Sequence, residues 1–307
     1  MKKLTIAWMK LFMLLSVATA QAGLPGQQKK GITLKDLVAQ HPIEVYTVQE
    51  GAEIPLKTYD QTNNFKVGVN VLPLSGNDLT DIIGISTLVV RYQGKDVPIT
   101  AVPNLQIFLN KNRISIVPDE ISDLGNVTFF YFNDNKIKNI PAAFGLIEGL
   151  QGVYFTRNRI DKISPEIFSV KKLRKFEIKQ NRVSRIPNEI GNSRHIIHLN
   201  LANNPIKVLP ESIMNLSNLR ICDFSYCGLS ALPIGFAKNK IRYQLRLIGN
   251  SELTSLPAGR GFETMTGTID ITGTGIDENT LPESVRKRIS TKRTPSPNKL
   301  VNVIKTS

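Results

Sequence analysis

The feature that most constrains this chain is a spacing. Asparagine, once replaced by cysteine, recurs every 23 residues at Asn112, Asn135, Asn158, Asn181, Asn204, Cys227 and Asn250. Apolar residues keep the same phase around each anchor: five and three residues before it, two after, and five after, where proline usually follows. Phe130, Phe132, Ile137 and Ile140-Pro141 form one such set, and Leu199, Leu201, Ile206 and Leu209-Pro210 another. Equal intervals of this kind mark a repeat architecture, in which each unit buries its apolar face only against its neighbours. A unit this short has room for one strand and one loose helical turn. The stretch before each anchor alternates apolar and polar, as a half-buried strand does, and the segment after the proline places apolar residues three apart, as a short helix or 3-10 turn does.

The anchor has a structural task. Where a strand turns inward, its backbone N–H and C=O groups are buried without a sheet partner, and a stacked Asn side chain can satisfy both kinds of group from inside the coil. The seven anchors are therefore expected to form a ladder, with Cys227 and the inward Cys222 as separate buried thiols. Bridging those two by a disulfide would require backbone movement.

The pattern resembles the leucine-rich-repeat family, with consensus LxxLxLxxNxIxxIPxxIxxLxN, and is most similar to the 23-residue type of bacterial and Ras-group or plant intracellular members. The resemblance covers about residues 71–285, with regular repeats over about 104–260. It implies an α/β solenoid, a horseshoe with a parallel β-sheet on the concave face and short helical or 3-10 turns on the convex face. It also implies partner binding on the concave face.

Several positions depart from the metre. Asn104 is polar where a repeat should begin with an apolar residue, Pro165 falls one residue late, one extra residue follows Asn250, and Thr274 takes the last anchor. An early anchor, Asn77, lies 35 residues before Asn112, which is 12 more than one repeat and leaves the path of residues 85–101 open. Residues 23–70 are expected to cap the amino end, with a helix at 33–40 capped by Thr33 and a strand at 43–48. Gly273 to Val285 are expected to close the other end.

Outside the repeats, Lys2, Lys3 and Lys10, an apolar run from Leu11 to Ala18 and the small residues Ala18, Ala20 and Ala22 read as a cleaved secretory signal over residues 1–22. The alternative is an amphipathic or buried first helix. The run is too short to span a bilayer, and the absence of a cysteine at the boundary argues against a lipid anchor. A secreted or periplasmic location follows as an expectation. The formal charge is +14; residues 286–307 carry seven of the cations and no acid, so the basicity is largely that of a tail expected to be disordered.

If inward residues form the core, the outward residues of the same strands form the candidate binding surface. One column runs Phe108, Tyr131, Tyr154, Glu177, Asn200, Asp223, Arg246, Asp270; beside it run Gln106, Phe129, Gly152, Lys175, His198, Ile221, Gln244. The candidate partner-binding residues are Phe108, Phe129, Tyr131 and Tyr154, then Arg157, Lys175 and Lys179, then Asp223, Tyr226 and Arg246. Exposed aromatics beside Arg are typical of interface hot spots, although cross-strand packing among themselves is a second explanation. Arg113, Lys136, Arg159 and Arg182 stack just after the anchors as a candidate strip for an anionic ligand.

The three histidines (His41, His195 and His198) lie in no metal-ligand or catalytic motif, and no nucleophile elbow or phosphate-cradling loop is present. The expected function is therefore that of a binding module with a protein partner, open to a host-interaction or virulence-type role, without enzyme activity, cofactor, metal or small-molecule substrate. The alternatives are a binder of anionic surface polymers such as lipopolysaccharide or nucleic acid, with strip and tail engaging polymer or membrane surface, and a structural envelope component.

Overall fold

The computed structural model describes residues 31–48, 68–238 and 241–290. The expected signal over residues 1–22 and residues 291–307 of the expected tail lie outside them. Helix α1 (Leu34–Gln40) comes first and carries a full capping box. Thr33 Oγ1 accepts the N–H of Asp36, whose carboxylate in turn accepts the Thr33 N–H. The strands follow as β1 (Glu44–Thr47), β2 (Asn70–Pro73), β3 (Val89–Tyr92), β4 (Lys95–Pro98), β5 (Leu105–Phe108), β6 (Val127–Tyr131), β7 (Asn139–Ile140), β8 (Gly152–Tyr154), β9 (Lys162–Ile163), β10 (Lys175–Glu177), β11 (His198–Asn200), β12 (Ile221–Asp223), β13 (Gln244–Arg246) and β14 (Thr268–Asp270).

Strands β2, β5, β6, β8, β10, β11, β12, β13 and β14 pair in parallel, each with the next, and build one long sheet. Opposite each strand, on the convex side, runs a 3-10 turn. From the turn Asp119–Asp123 onward, its start recurs at Ala142, Pro165, Asn188, Glu211 and Ile234, 23 residues apart. The late Pro165 disturbs nothing. Pro118, Pro141, Pro187 and Pro210 precede the turn, whereas Pro165 is its first residue, and neither place needs an N–H. A small parallel pair, β7 and β9, bridges two coils on the flank.

The core is a continuous column of inward side chains with a phenylalanine spine. The Phe132 and Phe155 rings stack at 5.1 Å and 2°, and Phe144 meets both edge-on, with centroids 6.3 and 5.7 Å away. Aromatic pairs in this offset and edge-to-face geometry add to the burial energy.

The 12 surplus residues between Asn77 and Asn112 form a hairpin. Strands β3 and β4 pair antiparallel around Gln93-Gly94, both left-handed, as a tight two-residue turn requires, and short 3-10 turns flank the pair. Strand β1 joins this hairpin to the solenoid, pairing antiparallel with β2 and parallel with β3. The hairpin makes β4 the amino-terminal edge, where Lys95, Asp96 and Pro98 discourage further strand addition. Asn104 is exposed at the repeat start with φ 49°, a conformation that Asn tolerates better than Leu.

At the other end the extra residue lies in the turn Ser251-Glu252 just after Asn250, and helix α2 (Arg260–Glu263) stands where a 3-10 turn would come. The last coil runs past the expected boundary at 285. Helix α3 (Glu283–Arg286) leads to Ile289, which bridges Ile269, while the Arg288 carbonyl accepts the Ile269 N–H. Residues 286–290 thus belong to the cap and not to a tail, because the edge of β14 needs backbone partners.

Candidate functional site

The ladder inside the solenoid makes the sheet regular. Each Asn donates its amide back to the preceding coil and accepts an N–H from it. Asn158 Nδ2 donates to the Phe132 carbonyl at 2.9 Å and the Phe155 carbonyl at 3.1 Å, while its Oδ1 accepts Ile137 N–H at 3.0 Å. Asn112, Asn135, Asn181, Asn204 and Asn250 repeat the pattern. The Cys227 thiol keeps only the donor half, toward the Leu201 carbonyl at 3.3 Å. With no oxygen to meet it, the N–H of Ile206 turns to the carbonyl of Asn204 at 2.8 Å. Thr274 donates only to Ile271 of its own coil and ends the ladder. Cys222 and Cys227 are free and buried; burial pushes the Cys222 thiol well up and that of Cys227 to about 12, so both stay protonated.

A second ladder, which the sequence reading missed, runs two residues before the anchors. Ser75 Oγ accepts Asn110 N–H, Asn110 Oδ1 accepts Asn133 N–H, and Asn133 Oδ1 accepts Thr156 N–H, the last two at 2.8 Å. Thr156 Oγ1 then donates to Glu177 Oε1 at 2.7 Å, tying this ladder to the concave face. Between the two ladders lies a left-handed position in every coil: Lys111, Asp134, Arg157, Gln180, Asn203, Tyr226 and Gly249, with φ between 53° and 70°. The glycine at that phase was the legible signal. At Gly249 it serves twice, because the Tyr226 ring lies where a Cβ would be.

The two outward columns run side by side, each in register from strand to strand across the sheet. At the amino end the aromatics form a stack: Phe108 to Tyr131 at 4.1 Å and 13°, Tyr131 to Tyr154 at 4.7 Å and 10°, with Phe129 at 6.2 Å from Tyr131. Phe108 is only 1% exposed and packs with Val48 of the amino-terminal cap and Val71 of β2, so it backs the stack and presents little surface. Tyr131 and Tyr154 keep partial exposure, and the Tyr131 hydroxyl donates to Gln106 Oε1. Burial raises both phenol pKa values, keeping the hydroxyls neutral. Phe129 lies across Gly152, where any Cβ would sit 2.6 Å from its ring, and meets Lys175 Nζ at 5.9 Å from the ring centroid.

Toward the carboxyl end the same columns turn polar. Arg246 Nη1 is 3.6 Å from Asp223 Oδ2, and both side chains are nearly buried. Lys175, Glu177 and His198 stand beside this pair. Burial, with the nearby Lys175 charge, lowers the His198 pKa to about 4, and burial raises that of Glu177 against the opposing pull of Thr156 and Lys179. Lys179 and Arg157 lie on the strand-end rim, where Arg157 Nη2 donates to Asp134 Oδ2 at 2.8 Å, and Tyr226 is exposed on that rim. The candidates thus divide between two concave columns and one rim. In the proposed anionic strip, Arg113 Nε lies 3.4 Å from Asp78 Oδ1, while Lys136, Arg159 and Arg182 are exposed. Among the described residues, no group of three His, Cys, Asp or Glu could hold a metal ion, and no helix is long and apolar enough to cross a membrane.

The family model described as Leucine Rich Repeat matches residues 195–216, one coil of the solenoid. With the ladder and the sheet of parallel coils, this fits the fold of a leucine-rich-repeat solenoid. No match was found among curated proteins. Solved structures similar to this chain include a leucine-rich-repeat protein of Leptospira interrogans (21% identity, 72% of this chain and 71% of that one, TM-score 0.41). An internalin of Listeria monocytogenes is also similar (19%, 73% and 61%, TM-score 0.47), as is the leucine-rich-repeat domain of the type III effector XopL (16%, 61% and 68%, TM-score 0.49). Likeness of this degree does not carry over what those proteins bind.

Proposed function

We propose that this chain is an exported binding module that holds a protein partner on its concave face, without catalysis. The observation that supports this reading is the stack Phe108–Tyr131–Tyr154, whose partly exposed rings are held rigid from below by buried Phe108 and flanked by Phe129 over Gly152. Rigid aromatics lose little entropy when a partner covers them, and on a sheet face that carries a desolvated charge pair further along they suit the centre of an interface. The perturbed groups Glu177 and His198 owe their shifts chiefly to burial, which fits a surface shaped for contact. Residues 1–22 supply the export signal in this reading, and a role toward a host or in the envelope follows from such a location.

The test compares wild type with Tyr131→Ala/Tyr154→Ala as immobilised baits, with retained proteins quantified by mass spectrometry and folding checked by thermal melts. A protein held by wild type and depleted at least about tenfold on the folded double variant is expected, since central aromatic anchors cost 2 kcal/mol or more on truncation. Equal retention on both baits overturns the concave-face reading.

A further inference from the structure

We infer a second, separate binding site on the rim where the strands begin, for a ligand carrying several phosphate groups. Each coil there has the same local build: a two-residue turn ends the convex segment, and the chain then leads into the strand. In neighbouring coils the turns are Lys171-Lys172, Arg194-His195 and Ser217-Asn218, and the lead positions are Gln151, Arg174, Ile197 and Arg220. The lead positions are fixed to one another through the backbone, because Arg174 N–H donates to Gln151, Ile197 N–H to Arg174, and Arg220 N–H to Ile197, at 2.8, 2.9 and 2.9 Å.

Between turns and leads lies a groove of about 580 Å³ lined by Gln151, Lys171, Lys172, Arg174, His195, Ile197, Asn218 and Arg220. Its floor is buried Ile197, and Arg174 and Arg220 stand on either side, two coils apart, or roughly 10 Å at ordinary strand spacing. No carboxylate lines the groove, and none of its cations has an ion-pair partner among the described residues. This sets the rim apart from the other one, where Arg113 and Arg157 pair with Asp78 and Asp134. Four unpaired cations around one groove repel each other, and a ligand of high negative charge density relieves that cost. Two guanidinium forks on a rigid sheet favour planar, bidentate contact with phosphate oxygens, and Lys171 and Lys172 add charge around them. The site is distinct from the concave aromatic face and stands whether or not that face binds a protein.

Inorganic tripolyphosphate, titrated calorimetrically into the full chain at low salt, tests the soluble form of this ligand; flotation with phosphatidylglycerol vesicles tests phosphate presented by a lipid surface. In either arm, Arg174→Gln/Arg220→Gln is expected to weaken binding by roughly tenfold or more and to flatten its salt dependence. Arg159→Gln/Arg182→Gln on the opposite rim, with the same net charge and the same tail, is expected to change it little. Response to tripolyphosphate assigns the ligand to a soluble phosphate chain, and response to vesicles alone assigns it to a headgroup. Binding in neither arm, equal loss in the two double variants, or unchanged binding in Arg174→Gln/Arg220→Gln overturns the site.

Discussion

The amino and carboxyl halves of the solenoid share one backbone and one register but solve the concave face with different chemistry. In the amino half, Phe108, Tyr131 and Tyr154 stack face to face above an unbroken run of Asn anchors. In the carboxyl half, Arg246 pairs with Asp223 beside His198 and Glu177, above the coil where Cys227 interrupts the ladder. The difference teaches that the scaffold tolerates either apolar or polar filling on its outer columns, because sheet and ladder satisfy the backbone independently of them. It also shows where the molecule is sensitive: to backbone pairing throughout, and to protonation at His198 and Glu177.

The sharpest break is expected from Asn158→Ala beneath the aromatic stack. It leaves Ile137 N–H and the Phe132 and Phe155 carbonyls without their side-chain partner, and a urea melt should show a loss of about 1–3 kcal/mol.

A smaller effect should separate the halves by pH. His198 is half-buried as the neutral form with its pKa lowered to about 4, below the ordinary histidine value of about 6.5, so the unfolded chain binds the proton first. Stability contributed by neutral His198 is therefore fully present above about pH 6.5 and is lost as the pH falls toward 4. Glu177, with its pKa raised, works the other way and gains from protonation, offsetting part of that loss. Melts of His198→Gln between pH 7 and 4 should therefore fall less steeply than those of wild type. Parallel curves would remove the assigned role of burial.

The smallest change should come from Cys227→Asn, which restores the missing acceptor for Ile206 N–H. A gain of up to about 1 kcal/mol is expected, and it would make the ladders of the two halves alike. A loss of stability in that variant would mean that the coil has adapted its packing to the smaller thiol.

Much of this was legible beforehand because each coil is nearly local. The metre from Asn112 to Asn250 predicted the inward columns, the parallel strands, the turns after proline and the ladder, and α1 begins at the Thr33 cap as read from sequence. The hairpin over β3 and β4 escaped because its strands do not share the repeat's phase, although Gln93-Gly94 was a turn signal. The second ladder escaped because Ser75, Asn110, Asn133 and Thr156 share hydrogen-bonding capacity but not residue identity. The groove at Arg174 and Arg220 escaped because its lead column alternates, Gln151, Arg174, Ile197 and Arg220, so that no unbroken run of cations marks it.

By itself the sequence determined the repeat, the inward and outward columns and the residues offered on the concave face, because a strict period puts every 23rd residue in the same environment. Only the tertiary structure decided which outward residues remain available: Phe108 is covered by Val48 of the cap and Val71 of β2, Arg113 and Arg157 find acids one coil away, and Arg174 and Arg220 find none among the described residues. Exposure and pairing depend on neighbours that lie a whole coil or more away along the chain.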